Sequence, residues 1–181
     1  MKNKVMAVLL SLFCVVSLCF AEGAKGVKVK KGEPMPHIAA MGIDGKAHSV
    51  KTVSSIPNTK GVLVLVFASW CKACIDEIKQ LVKAKKLLDE KGIRVLLVNA
   101  MEDDYDRLEQ ILKELDLQGF YLIFDKNGYI ADDQLGLVMG KEKRDGRLPF
   151  ACVLDNQGVI REIIYDPEED FVRQVLRVYG F

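Results

Sequence analysis

The run Val62 to Phe67, VLVLVF, constrains the fold of this chain more than any other feature, because it leads through Ala68 and Ser69 straight into Trp70-Cys71-Lys72-Ala73-Cys74. An unbroken apolar, β-rich run without polar alternation suits a strand buried on both faces of a sheet. From Lys72 to Lys91 the period changes. Cys74, Ile78, Leu81, Val82 and Leu88 fall on one helical face, and Gly92 closes the run as a C-terminal glycine should. Ile93 to Val98, IRVLLV, is a second buried strand. Residues 62–98 therefore read as strand, helix, strand, a unit expected to be parallel and right-handed.

The flanking segments complete a domain over residues 34–181. Pro34-Met35-Pro36 marks its start, and Asp44-Gly45 is a two-residue hairpin signal. Asp103 and Asp104 open an amphipathic helix carrying Leu108, Ile111, Leu112 and Leu115, so Glu102 to Asp106 reads as a helix start. Tyr121 to Phe124 is a short strand followed by the turn Asp125 to Gly128. Ala151 to Leu154 and Val159 to Ile164, separated by Asp155-Asn156-Gln157-Gly158, form an antiparallel hairpin, and Glu168 to Tyr179 is a closing helix. A parallel unit followed by a hairpin and a covering helix gives an α/β domain with a mixed central sheet flanked by helices.

Ahead of this domain, Met1 to Ala21 has Lys2 and Lys4, an apolar stretch from Val5 to Phe20, and the small residues Cys19 and Ala21 before Glu22. That layout is a secretory signal peptide, with a retained membrane anchor as the alternative. Glu22 to Glu33, rich in Gly and Lys, reads as a flexible linker. The chain has 26 basic and 25 acidic residues; without Lys2 and Lys4 the balance is 24 against 25. Such near-neutrality argues against nucleic acid as a partner. The expected location is periplasmic or otherwise extracytoplasmic, with a membrane contact only if the leader is retained.

Of five cysteines, Cys14 and Cys19 lie in the leader, leaving Cys71, Cys74 and Cys152. Three cysteines exclude a fully paired disulfide framework. Two cysteines separated by two residues serve as half of a zinc site, as a soft-metal loop, or as a dithiol that cycles with its disulfide. Zinc lacks ligands at paired spacing, since only Cys152, His37 and His48 remain. A strand-to-helix handover favours the dithiol, because the unpaired N–H groups and macrodipole of a helix N-terminus stabilise a thiolate at Cys71. Lys72 adds positive charge if its side chain leans toward the sulfur. Cys74 faces the core and is placed to resolve a mixed disulfide formed at Cys71.

A strand, Trp-Cys-x-x-Cys, a helix, and Leu148-Pro149 just before a hairpin resemble the thioredoxin superfamily. The Asp44-Gly45 hairpin and the leader are most similar to its TlpA/ResA-type extracytoplasmic branch. The resemblance implies a thioredoxin fold with an N-terminal β-hairpin extension and thiol–disulfide exchange. In this branch the protein commonly reduces other extracytoplasmic proteins, apocytochromes c among them. It makes Pro149 a cis-proline beside the dithiol and has Leu148 offer its backbone to an extended substrate. Trp70 would shield Cys71. Glu77 lies three residues beyond Cys74 on the same helical side, where a half-buried carboxyl with a raised pKa can exchange a proton with Cys74. The family position also carries a functional Glu, and the strand position where thioredoxins proper bury an Asp is Leu65 here. Ala73 replaces the proline often found before the second cysteine, and no proline follows Glu77.

The expected protein is a monomeric thiol–disulfide oxidoreductase with no cofactor or metal beyond the Cys71–Cys74 couple, served by a membrane-linked or other thiol donor. A disulfide-donating oxidase of the same fold and a non-enzymatic Cu(I) carrier are the rivals. Cys152 reads as a buried inert thiol, His37 and His48 as surface residues, and the mixed-charge run Met139 to Arg147 as a solvated loop.

Overall fold

No residue of the third strand is exposed, and the remaining elements are arranged around it. The structure, a computed structural model, describes residues 27–100, 102, 104–137, 148–165 and 167–181. In chain order the elements are β1 (Ala39–Met41), β2 (Ala47–Ser49), α1 (Val50–Ser54), β3 (Gly61–Phe67), α2 (Lys72–Lys83), α3 (Lys85–Lys91), β4 (Ile93–Asn99), α4 (Tyr105–Glu114), β5 (Tyr121–Phe124), a π-helix (Tyr129–Gln134), β6 (Phe150–Asp155), β7 (Ile160–Ile164) and α5 (Phe171–Val178). The leader and its cleavage position lie outside the described residues, as does the run Met139 to Arg147.

The main sheet has the order β5-β4-β3-β6-β7. β3 pairs in parallel with β4, and β4 in parallel with β5. β6 runs antiparallel to both β3 and β7. Alternation along β3 builds both halves of the core. Val62, Val64 and Val66 face a layer with Val50, Val53, Ile130 and Leu135, whereas Leu63, Leu65 and Phe67 face one with Ile78, Leu81, Leu108 and Val175. Each such Val or Leu contributes about 1.5–3 kcal/mol on burial, which explains why a strand without polar alternation can form only here. The register aligns Phe67 with Asn99 and Asn99 with Phe124, so the three parallel strands end at one level. Loops at the carboxyl ends of such strands are where α/β folds place their sites.

Several expectations are corrected. The helix expected over Lys72 to Lys91 is two helices, α2 and α3, interrupted at Ala84, whose ψ of 6° leaves the helical range. The turn of the first hairpin has three residues, Ile43 to Gly45; Gly45 takes a left-handed φ of 71° and Gly42 N–H donates to the Lys46 carbonyl at 2.7 Å. This is the longer hairpin type, in which a turn is followed by a left-handed glycine. The hairpin leans on the edge strand β5 through a Gly42–Ile123 bridge.

The linker expected over Glu22 to Glu33 lies against the domain from residue 27 onward. Val29 is buried, Lys28 N–H donates to the Leu135 carbonyl at 3.0 Å, and Gly32 N–H donates to the Ile160 carbonyl at 2.8 Å. Composition misses this because two valines, Val27 and Val29, and a few backbone bonds, among them those to Ile160 on the β7 edge, suffice to dock a Lys-rich segment. The short α1 and the π-helix carry too few residues to show a period. Among the described residues, no helix is long and apolar enough to cross a membrane.

Candidate active site

At the end of β3 the chain turns through Ala68, Ser69 and Trp70 and enters α2 at Cys71. Cys71 N–H donates to the Ala68 carbonyl at 3.1 Å, and Cys71 is the N-cap residue of α2 with an extended backbone (φ −83°, ψ 92°). Its Sγ accepts a hydrogen bond from Cys74 N–H at 3.2 Å. That is the position an N-cap side chain uses to satisfy a free helix donor. Cys71 and Cys74 are joined as a disulfide. The two sulfurs are unequal, since Cys71 retains 7% exposure and Cys74 none. Lys72 does not lean on the sulfur: its ammonium pairs with Asp76 at 2.6 Å and its side chain is 87% exposed.

Glu77 lies one turn beyond Cys74 and is deeper than the half-buried place expected for it. The residue is 3% exposed, and among the described residues neither carboxylate oxygen has a hydrogen-bond partner. Burial without compensation disfavours the charged form and pushes its pKa up to about 7. Leu65 lies in the same core layer as Cys74, with no acid in its place on β3.

The Leu148–Pro149 peptide is cis. Phe150 pairs with Val66, which sets Pro149 level with the end of β3. Leu148 and Trp70, both half-buried, each pack against both core layers at this end of the sheet. The fold thus brings Trp70, Cys71 and Cys74 on one connection and Leu148 and Pro149 on the other to the same end of the sheet.

One residue of the site escaped the sequence. Glu102, assigned there to a helix start, folds back beneath the turn. Its Oε2 accepts from Ser69 N–H at 2.8 Å and Asn99 Nδ2 at 3.0 Å, and its Oε1 from the Ser69 hydroxyl at 2.9 Å and Asp104 N–H at 3.2 Å. The helix start belongs to Asp104, which accepts from Arg107 N–H. The available signal was Ser69 and Asn99, polar residues at the ends of two buried strands. Groups buried there need a partner.

The remaining candidates lie elsewhere. Cys152 is free, buried in the layer on the opposite face of the sheet from Cys74, and burial pushes its thiol up to about 12. His37 is exposed, as expected. His48 is half-buried instead, bonded to the Asp44 carboxylate at 2.9 Å and edge-on to Tyr121, because β2 leans on β5. Among the described residues, no group of three or more His, Cys, Asp or Glu side chains is arranged to hold a metal.

A five-stranded mixed sheet with a Cys-x-x-Cys disulfide at the start of the helix after the central strand, and a cis-proline at the same end, defines the class: a thioredoxin-like thiol–disulfide oxidoreductase. The match to the Redoxin family model spans residues 30–177, and the chain belongs to that family. It is 25% identical over 178 residues to the thiol-disulfide oxidoreductase ResA of Bacillus cereus, covering 92% of this chain and 94% of that protein. It is 28% identical over 171 residues to the thiol:disulfide interchange protein DsbE of Escherichia coli, covering 89% and 84%. Its fold matches the crystal structure of a DsbE-type protein from Chlorobium tepidum with a TM-score of 0.61, at 20% identity over 84% of this chain and 99% of the other. These relatives place it with the TlpA/ResA type within the thioredoxin superfamily.

Proposed function

We propose that this oxidoreductase is exported and works as a reductant, passing two electrons from the Cys71/Cys74 dithiol to disulfides of extracytoplasmic proteins, apocytochrome c being one substrate of suitable chemistry. The observation that carries the exchange chemistry is the inequality of the pair, and the reduction potential decides its direction. Cys71 sits at the helix N-terminus with residual exposure, whereas Cys74 is sealed one turn in with Glu77 behind it.

Each step follows from that placement. The Cys71 thiolate, favoured by the helix N–H groups, attacks one sulfur of the substrate disulfide; a Cys71–substrate bond forms as the substrate bond breaks, and one substrate thiolate leaves. Cys74 then gives its proton to Glu77 and attacks Cys71 Sγ, which releases the second substrate thiolate and leaves the Cys71–Cys74 disulfide. The substrate is reduced by two electrons and the protein oxidised by two. A separate dithiol donor restores the pair, and no other cofactor takes part. Leu148 and Trp70 border the approach to Cys71, and the half-buried Leu148 peptide is the contact for an extended substrate segment. The protein acts as a monomer, and the apolar leader supports export through, or anchorage in, a membrane.

The test is the reduction potential, measured by equilibration with glutathione. A reductant sits well below the potential of the extracytoplasmic pool. A value as oxidising as that of a disulfide donor, on the order of −120 mV, would reverse the proposed direction. Cys71→Ser must also abolish reductase activity.

A further inference from the structure

We propose that Glu102 is a positioning residue for the dithiol, clamping the turn Ala68 to Trp70 so that Cys71 Sγ stays in register with the first free N–H groups of α2. The proposal rests on the dithiol reading above and adds a residue to it that touches neither sulfur.

The geometry is that of a brace across three elements. Through four hydrogen bonds, Glu102 ties Ser69 beyond the end of β3 to Asn99 at the end of β4 and to Asp104 at the start of α4. Bonds to an ionised acceptor are roughly twice as strong as neutral ones. Ser69 is fully buried and Asn99 is 2% exposed, so Glu102 is the acceptor their donors have in place of water. Two residues after the clamped Ser69 comes Cys71, whose sulfur lies 3.2 Å from Cys74 N–H in the disulfide, the same helix donor that would stabilise its thiolate. A turn free to shift by an ångström loses that bond.

Position and charge make opposite predictions. The Glu102 carboxylate is itself negative and by charge alone opposes a nearby thiolate, so neutralising it would make Cys71 more acidic. As a clamp it acts the other way. Glu102→Gln keeps the shape and one acceptor oxygen while removing the charge, whereas Glu102→Ala removes everything.

The experiment is the pH profile of Cys71 alkylation by iodoacetamide in the reduced full chain, with the modified cysteine identified by peptide mapping. Below the thiolate pKa, Glu102→Ala should alkylate about tenfold more slowly, an upward shift of about one pH unit. Ser69→Ala, which loses one of the two bonds from that residue, should fall between Glu102→Ala and the parent. Glu102→Gln, whose amide oxygen can keep the Ser69 N–H and Asn99 bonds while its NH2 loses the one from Asp104 N–H, should shift less than half as far as Glu102→Ala. Asp155→Ala removes the acceptor for Gln157 N–H and Val159 N–H at the opposite end of the sheet, so it should lower stability without moving the profile. A Glu102→Ala profile that coincides with the parent, or a Glu102→Gln shift as large as that of Glu102→Ala, overturns the proposal. If Glu102→Ala does not fold, an unshifted Ser69→Ala profile overturns it equally. Alkylation reads Cys71 whether or not the protein exchanges with disulfides, so a parent that alkylates normally but fails to exchange contradicts the proposed function and not the clamp.

Discussion

Glu77 lies one helical turn beyond Cys74 with both carboxylate oxygens buried and, among the described residues, without a hydrogen-bond partner. A carboxyl in that state is held protonated until the pH approaches its raised pKa of about 7. It can therefore accept the Cys74 proton only around and above neutrality.

Stability should record this. The folded carboxyl titrates at about 7 instead of the ordinary 4.5, so between those values the folded state binds more protons than the unfolded one. Stability then falls as pH rises through that window and levels off above it. After allowance for solvent screening, the loss from this group is on the order of 2 kcal/mol. Urea unfolding of the oxidised protein at pH 5 and pH 8 should show it, and Glu77→Gln should remove that part of the slope.

Turnover gives an independent reading of the same carboxyl. In Glu77→Gln, resolution of a preformed Cys71 mixed disulfide should slow by about 100-fold at pH 7, the lower end for loss of a positioned general base. Stopped-flow release of a fluorescent thiol from Cys71 measures this step alone. A resolution rate unchanged from the parent would remove Glu77 from the chemistry.

The sequence revealed those features that carry a period or a motif. VLVLVF and IRVLLV became β3 and β4 because an unalternating run can be stabilised only between two covered faces, and Trp70 to Cys74 marked the handover to α2. Glu77 was found because its spacing from Cys74 is a property of one helix. Glu102 was not, since its partners Ser69 and Asn99 come together only when β3 and β4 pair. The break at Ala84 and the docking of Val29 were hidden for the same reason: neither Ala nor two valines spaced among lysines carry a local signal.

Val29 tests how firmly the entering segment is docked. It is 5% exposed against the layer that holds Leu135 and Ile160, so Val29→Ser should cost about 2 kcal/mol in chemical denaturation. The exchange rate at Cys71 should not change, because residue 29 packs on the opposite face of the sheet from Cys74.

Cys152 should be a bystander. Cys152→Ala is expected to lose about 1 kcal/mol through the small cavity it leaves, with exchange activity retained. Cys152→Ser, which buries a hydroxyl among apolar side chains, should cost more. In the folded protein, alkylating reagents should leave Cys152 untouched at neutral pH, since burial holds its thiol at about 12.

The division of labour within the dithiol is tested most directly by exposing the reduced Cys74→Ala and Cys71→Ala variants to glutathione disulfide and following adducts by mass spectrometry. Cys71, at 7% exposure on the helix N-terminus, should accumulate a stable glutathione adduct in Cys74→Ala. Cys74, fully buried, should remain unmodified in Cys71→Ala on the same timescale. Equal or faster adduct formation at Cys74 would contradict the assignment of Cys71 as the attacking sulfur and Cys74 as the resolving one.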